Sequence, residues 1–253
     1  MFRPNHPFLV TLFKSKFGLK RFFVFIILLF AMGAECQQTI NLPAYTRARL
    51  HFGFIIAVNW ADFAIDPAPN FPKISADSLR TIRSIPQVGF DLGIVSELKL
   101  SQYLKFRFVP SLGFSDRQIA YSFVGKHDTF TVTKDIQSVF LNFPLDLKLI
   151  SKRLNNFEAY VMAGMKYSTD LASQKDVNQI IAGQKATIRL RRNDWAYEAG
   201  GGIEFYLQFF KFGIEMKISQ GLRNLVIPDN FIYTQSINSL KSKIYLLSFT
   251  FEG

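Results

Sequence analysis

The chain has 253 residues, with 30 Lys and Arg against 19 Asp and Glu, a formal net charge of +11. Its 3 His and 1 Cys exclude a zinc cluster, an iron–sulfur centre or a disulfide-stapled domain, each of which needs several such ligands, so no metal and no cofactor is expected. Apolar residues make up 49% of the chain and 28 residues are Phe, which does not suit the solvated basic surface of a nucleic-acid binder.

In chain order, Lys14, Lys16, Lys20 and Arg21 lead into an apolar run over residues 22–32, followed by Gly33-Ala-Glu-Cys36. A basic stretch, a short apolar run and small residues after it are the pattern of a secretory signal peptide, and the run is too short for a spanning helix of roughly 20 residues. Ala34 and Cys36 are placed for cleavage before Gln37, so residues 1–36 are expected to leave; the rival, acylation of Cys36 as a lipoprotein, is disfavoured by Glu35. Loss of five basic residues and Glu35 lowers the balance to 25 basic against 18 acidic, a surplus of +7. Residues 37–48 are a periplasmic lead-in, and residues 49–253 carry the remaining pattern.

That pattern is period two, repeated eight times. Leu50, Phe52, Phe54, Ile56, Val58 and Trp60 alternate with His51, Gly53, Ala57 and Asn59. Val88, Phe90, Leu92, Ile94 and Leu98 alternate with Gly89, Asp91, Gly93, Glu97 and Lys99; Leu104, Phe106 and Phe108 with Lys105 and Arg107. Then Leu141, Phe143, Leu145 and Leu147 oppose Asn142, Asp146 and Lys148, and Ala159, Val161 and Met165 oppose Glu158, Gly164 and Lys166. Trp195, Tyr197, Ile203 and Phe205 oppose Glu198 and Glu204; Phe212, Ile214 and Met216 oppose Lys211, Glu215 and Lys217. The last segment sets Tyr245, Leu247, Phe249 and Phe251 against Ser248, Thr250 and Glu252.

Tight links near residues 101–102, 151–156 and 208–209 alternate with connections of about 20 residues at 64–85, 116–138, 171–194 and 222–240. Together these features predict an all-β fold, an eight-stranded antiparallel transmembrane β-barrel of the outer-membrane type with short periplasmic turns and long outer loops. A soluble barrel with its apolar face inward is the alternative; eight rows rich in Phe and Leu would overfill so small a lumen.

On the polar faces, Lys99, Lys105, Arg107, Lys148, Lys166, Lys211 and Lys217 meet Asp91, Glu97, Asp146, Glu158, Glu198, Glu204 and Glu215, seven against seven. Since an unpaired buried charge is costly, this set predicts an ion-pair lattice across the lumen and no conducting pore. The +7 surplus then falls on residues read as outer loops, Arg117 and Lys134 among them. There it suits lipopolysaccharide phosphates and outer-membrane lipid, and Arg189, Arg191 and Arg192 are candidates for docking a protein partner. A catalytic site is not expected: His51 and the Lys126-His-Asp128 stretch lie at opposite ends of the barrel.

Asn41-Leu-Pro, His51-Phe-Gly-Phe, Phe143-Pro-Leu-Asp-Leu-Lys148, Ser151-Lys-Arg-Leu-Asn-Asn156, Gly164-Met-Lys-Tyr167, Asp170-Leu-Ala-Ser173, Glu198-Ala-Gly-Gly-Gly202 and Leu247-Ser-Phe, in this order, resemble the PorT/SprT family across nearly all of residues 41–253. The resemblance implies an outer-membrane barrel required for type IX protein secretion and, in gliding bacteria, for motility, with other type IX components as partners. It brings no catalytic residues, and neither nucleic acid nor a small-molecule substrate is expected. The alternatives are a structural or adhesive small barrel and, further off, a barrel-type lipid or peptide hydrolase.

Overall fold

The computed structural model describes residues 41–69, 79–124, 128–172, 189–228 and 232–253; the expected leader at 1–36 lies outside them. Within them a five-residue helix, α1 (Pro43–Arg47), precedes ten strand segments: β1 (Leu50–Pro67), β2 (Leu79–Ile85), β3 (Gln87–Lys99), β4 (Leu104–Phe108), β5 (Ser111–Val124), β6 (Thr129–Ile150), β7 (Phe157–Asp170), β8 (Asn193–Tyr206), β9 (Lys211–Gly221) and β10 (Ile237–Glu252). A one-turn helix, α2 (Ile232–Gln235), leads into β10.

Every pairing is antiparallel, and β1 pairs with both β10 and β3, so the sheet returns on itself. The ten segments make eight rungs, because Pro86 separates β2 from β3 and Val109-Pro110 separates β4 from β5. Proline has no N–H to give to a ladder, and the second break lies opposite Pro144 of β6. There the prolines take part through their carbonyls alone: Ile94 N donates to Pro110 O at 3.0 Å, and Val109 N to Pro144 O at 3.4 Å.

Alternation sorts each rung into two faces. Phe52, Phe54, Ile56, Phe90, Leu92, Ile94, Leu145 and Leu147 point outward and are exposed, whereas His51, Asn59, Asp91, Glu97, Asp146 and Lys148 are buried inside. Cross-strand aromatic pairs tie the outer face together, with Phe54 on Phe251 at 4.8 Å and Phe90 on Phe114 at 4.7 Å between ring centres. The apolar run from Leu50 to Trp60, at about 3.3 Å per residue and a tilt of about 40°, spans about 25 Å, the height of a hydrocarbon belt.

Two expected outer loops are largely strand. β1 continues to Pro67 and β2 begins at Leu79, while β5 and β6 stay paired out to Val124 and Thr129, which leaves short connections in place of 64–85 and 116–138. The physical reason is that period two persists with its sign reversed. Along β5 the outward residues pass from Leu112 and Phe114 to Asp116 and Gln118, and the inward ones from Gly113, Ser115 and Arg117 to Ile119, Tyr121 and Phe123. β1 changes at the same height, from Trp60 to Asp62 outside and from Asn59 to Phe63 inside. Above that level the outside meets water and the inside is an ordinary core of Phe63, Leu79, Ile119, Tyr121, Phe123, Leu225, Val226, Ile237 and Leu240.

Candidate functional site

The lumen is built in layers, from the end that carries the tight turns to the end that carries the apolar core. At the turn end α1 lies across part of the mouth. Tyr45 Oη donates to Glu252 Oε2 at 2.8 Å, and its ring stacks on His51 with centres 3.7 Å apart. Burial pushes the Tyr45 phenol well above its ordinary range, so it remains a donor. His51 Nε2 donates to Tyr45 O at 2.7 Å, which makes this histidine a structural contact under the helix. Asn41 is held by Asn156 and Tyr206 O, Arg153 donates to Asn41 O at 2.6 Å, and Leu42 between these anchors and α1 takes φ 52, a conformation a bulky residue adopts only under constraint.

Above α1 lies the densest charge cluster. Lys211 Nζ is 2.8 Å from Glu252, 3.1 Å from Glu204 and 3.2 Å from Glu97. Three buried carboxylates so close are a metal-type donor set, but the ammonium of Lys211 occupies the space among them. Lys148 pairs with Glu204 and, at 3.0 Å, with Glu97; Lys105 reaches Glu97 at 2.9 Å and Glu158 at 3.5 Å. The next layer joins Arg107 to Glu215 at 2.6 Å, with Tyr160 Oη donating to the same carboxylate at 2.8 Å. Tyr160 needs the bare Gly202 opposite it, since a Cβ there would come within 2.7 Å of its ring. Lys217 bridges Asp146 at 3.3 Å and Glu198 at 3.0 Å, and Lys166 meets Glu198 at 3.1 Å.

Higher still the partners become neutral. Asp91 accepts from Asn59 at 2.7 Å and from Asn142 at 3.4 Å. Arg117, 1% exposed, donates to Ser138 at 3.1 Å and Ser242 at 3.3 Å while Phe63 and Phe140 cover its guanidinium face at 4.3 and 4.9 Å. Arg191 and Arg192 cross over this level and are exposed, and Arg189 is half-buried; backbone bonds from Arg191 N to Leu225 O and from Asp170 N to Arg192 O fix them there.

Lys99 stands half-buried at the turn-side mouth, directly across from Lys105 of β4. Arg117 belongs to the interior and not to an outer loop, because β5 continues through it. Asp170, Asp194 and Glu252 are buried as well, so among the described residues ten buried carboxylates face seven buried bases, not seven facing seven. Glu252 closes the polar row begun by Ser248 and Thr250, a signal present in the sequence; Asp170 and Asp194 sit at strand ends, where alternation gives no warning. Of the histidine pair weighed for catalysis, His51 is occupied under α1, and His127 lies outside the described residues.

A closed antiparallel ring with an apolar outer belt and a charged, filled interior defines a small transmembrane β-barrel. Its apolar exterior and polar interior are the reverse of a soluble barrel. The chain belongs to the outer membrane protein beta-barrel domain family, whose model matches residues 37–226, and its place is the bacterial outer membrane. No curated protein matches it. Among solved structures it is similar to the outer membrane protein OprG of Pseudomonas aeruginosa (14% identity, 82% of this chain and 98% of that one, TM-score 0.44). It is also similar to the N-terminal β-barrel domain of Pseudomonas aeruginosa OprF (9%, 79% and 97%, 0.34). A third is Ail, the attachment invasion locus protein of Yersinia pestis, in complex with a heparin analogue (12%, 81% and 100%, 0.36).

Proposed function

We propose that this barrel serves type IX protein secretion as an accessory or assembly component that binds a partner, without catalysis and without conducting cargo. The observation that carries the reading is the filled lumen. Among the described residues, α1, the Glu97–Lys211 cluster, the Asp91 layer and the outer apolar core follow one another without a continuous channel. A barrel closed in this way acts through its surfaces. The PorT/SprT likeness, spread over nearly all of residues 41–253, supports the secretion role and, in a gliding organism, a role in motility. Arg191 and Arg192, exposed over the outer mouth, support docking on that side, and anionic lipopolysaccharide suits the cationic outer surface.

Deletion of the gene tests this reading. Proteins bound for type IX export are expected to accumulate in the periplasm; unchanged export from the deletion strain removes the proposal. A second reading, a structural or adhesive barrel, draws on the β2–β5–β6 sheet that continues beyond the belt. It predicts intact export with altered envelope integrity or surface attachment.

A further inference from the structure

Among the described residues, α1 covers part of the turn-side mouth. Beside it a cavity of about 280 Å³ opens between the β3–β4 turn and the β6–β7 turn. Its floor is Tyr45, His51, Lys105, Glu158 and Tyr206, all buried, and its rim carries Lys99, Gln102, Tyr103, Ser151, Lys152 and Arg153.

The charge of this lining is one-sided. Lys105 and Glu158 on the floor pair with each other, and Lys105 with Glu97 as well, so the basic character of the lining comes from Lys99, Lys152 and Arg153 at the rim. The sheet register sharpens the asymmetry: Lys99 lies directly across from Lys105, and Lys105 directly across from Lys148, so three ammonium groups share one row that ends at the mouth. Like charges directly opposite on a sheet repel. Inside, Glu97, Glu158 and Glu204 offset this repulsion at Lys105 and Lys148. Arg153 is held rigid by stacking on Tyr206 at 3.7 Å and by its bonds to Asn41 O and Asn156. Tyr103, 47% exposed, adds a flat apolar surface at the rim, and Gln102 and Ser151 add groups able to bond a peptide backbone.

We infer that this cavity is a docking pocket for an acidic peptide segment of a periplasmic partner, one or two carboxylate side chains entering against Lys99 and Lys152 with Arg153 behind them. The inference rests on the partner-binding role proposed above and names the side and chemistry of one contact. Charge complementarity selects the acid. The size argues for a short piece of chain, since the volume is below the roughly 300–1,000 Å³ of pockets that enclose whole small molecules. Short turns mark this end of an outer-membrane barrel as the periplasmic one.

The test uses the intact barrel in detergent micelles and a fluorescein-labelled hexapeptide of glutamate and glycine, titrated by fluorescence anisotropy. Binding is expected to weaken about tenfold in the Lys99→Gln/Lys152→Gln variant, as loss of two partly exposed ion pairs predicts. It is expected to be unchanged in Lys241→Gln/Lys243→Gln, which alters the opposite end, and absent for the glutamine counterpart of the peptide. Unaltered heat-dependent gel mobility of the rim variant shows that it is folded. Equal binding by wild type and the rim variant, or equal binding of the neutral peptide, overturns the proposal. So does displacement of the peptide by inorganic phosphate at equal concentration, which marks a small-anion site. In cells the two readings separate: if deletion blocks export but the rim variant exports normally, the pocket is refuted and the secretion role stands. If deletion leaves export intact, the secretion role falls, and the titration alone decides the pocket.

Discussion

Replacing Lys211 with Met removes an ammonium that lies within 3.2 Å of three carboxylates, and its consequence can be sized from the structure. Lys211 is fully buried, with Glu97, Glu204 and Glu252 each within 3.2 Å of its nitrogen. Removing one partner from a buried ion pair costs about 3–5 kcal/mol, because the other charge remains desolvated. Here Lys148 and Lys105 still reach Glu97 and Glu204, whereas Glu252 keeps only Tyr45 and Arg107 at 3.8 Å. The loss is therefore placed at about 4 kcal/mol. For a barrel unfolding in urea with a slope of about 2 kcal/mol per molar, the midpoint falls by about 2 M. Trp60 and Trp195, which face outward on the belt, report the transition by fluorescence. Lys211→Met combined with Glu252→Gln should recover about half of the loss, since the worst-placed charge is then gone. A single variant within about 1 kcal/mol of wild type, or a double variant no better than the single, would refute the account of the cluster.

Tyr45→Phe deletes the bond to Glu252 and should cost about 1 kcal/mol while speeding proteolysis of the segment around α1; wild-type protease resistance would contradict a held helix. Leu147→Arg, on the lipid belt, should cost about 2–4 kcal/mol, whereas Thr131→Arg, on the same face of β6 above the polarity reversal, should stay within about 0.5 kcal/mol; equal effects would move the boundary. Planar-bilayer recordings of the wild-type barrel should show no large, steady openings, and sustained conductance would contradict a filled lumen.

The belt was legible in the sequence because hydrocarbon imposes one demand on every outward position, and Phe52 through Trp60 or Val88 through Leu98 answer it at strict period two. The outer half escaped for the same reason. Once Asp62 and Asp116 leave the lipid, a polar residue outside and an apolar one inside look, in a string of letters, like the end of a pattern; they are its continuation in another solvent. Alternation assigns a face, not a partner. It puts Glu97, Lys148 and Lys211 in the lumen but does not reveal that Lys211 lies among three carboxylates, which depends on the stagger of β3, β8, β9 and β10. The contact of Tyr45 with Glu252 joins residues 207 positions apart and has no local signature at all.

The reversal of polarity along β1 and β5 also fixes how deep the protein sits. A shift outward would bring Leu112 and Trp60 into water, and a shift inward would drag Asp62, Asp116 and Lys243 into hydrocarbon, so displacement in either direction meets a rising free energy. The chain thereby carries its own depth gauge, and turns presented to the periplasm are held at a constant height whatever pulls on them.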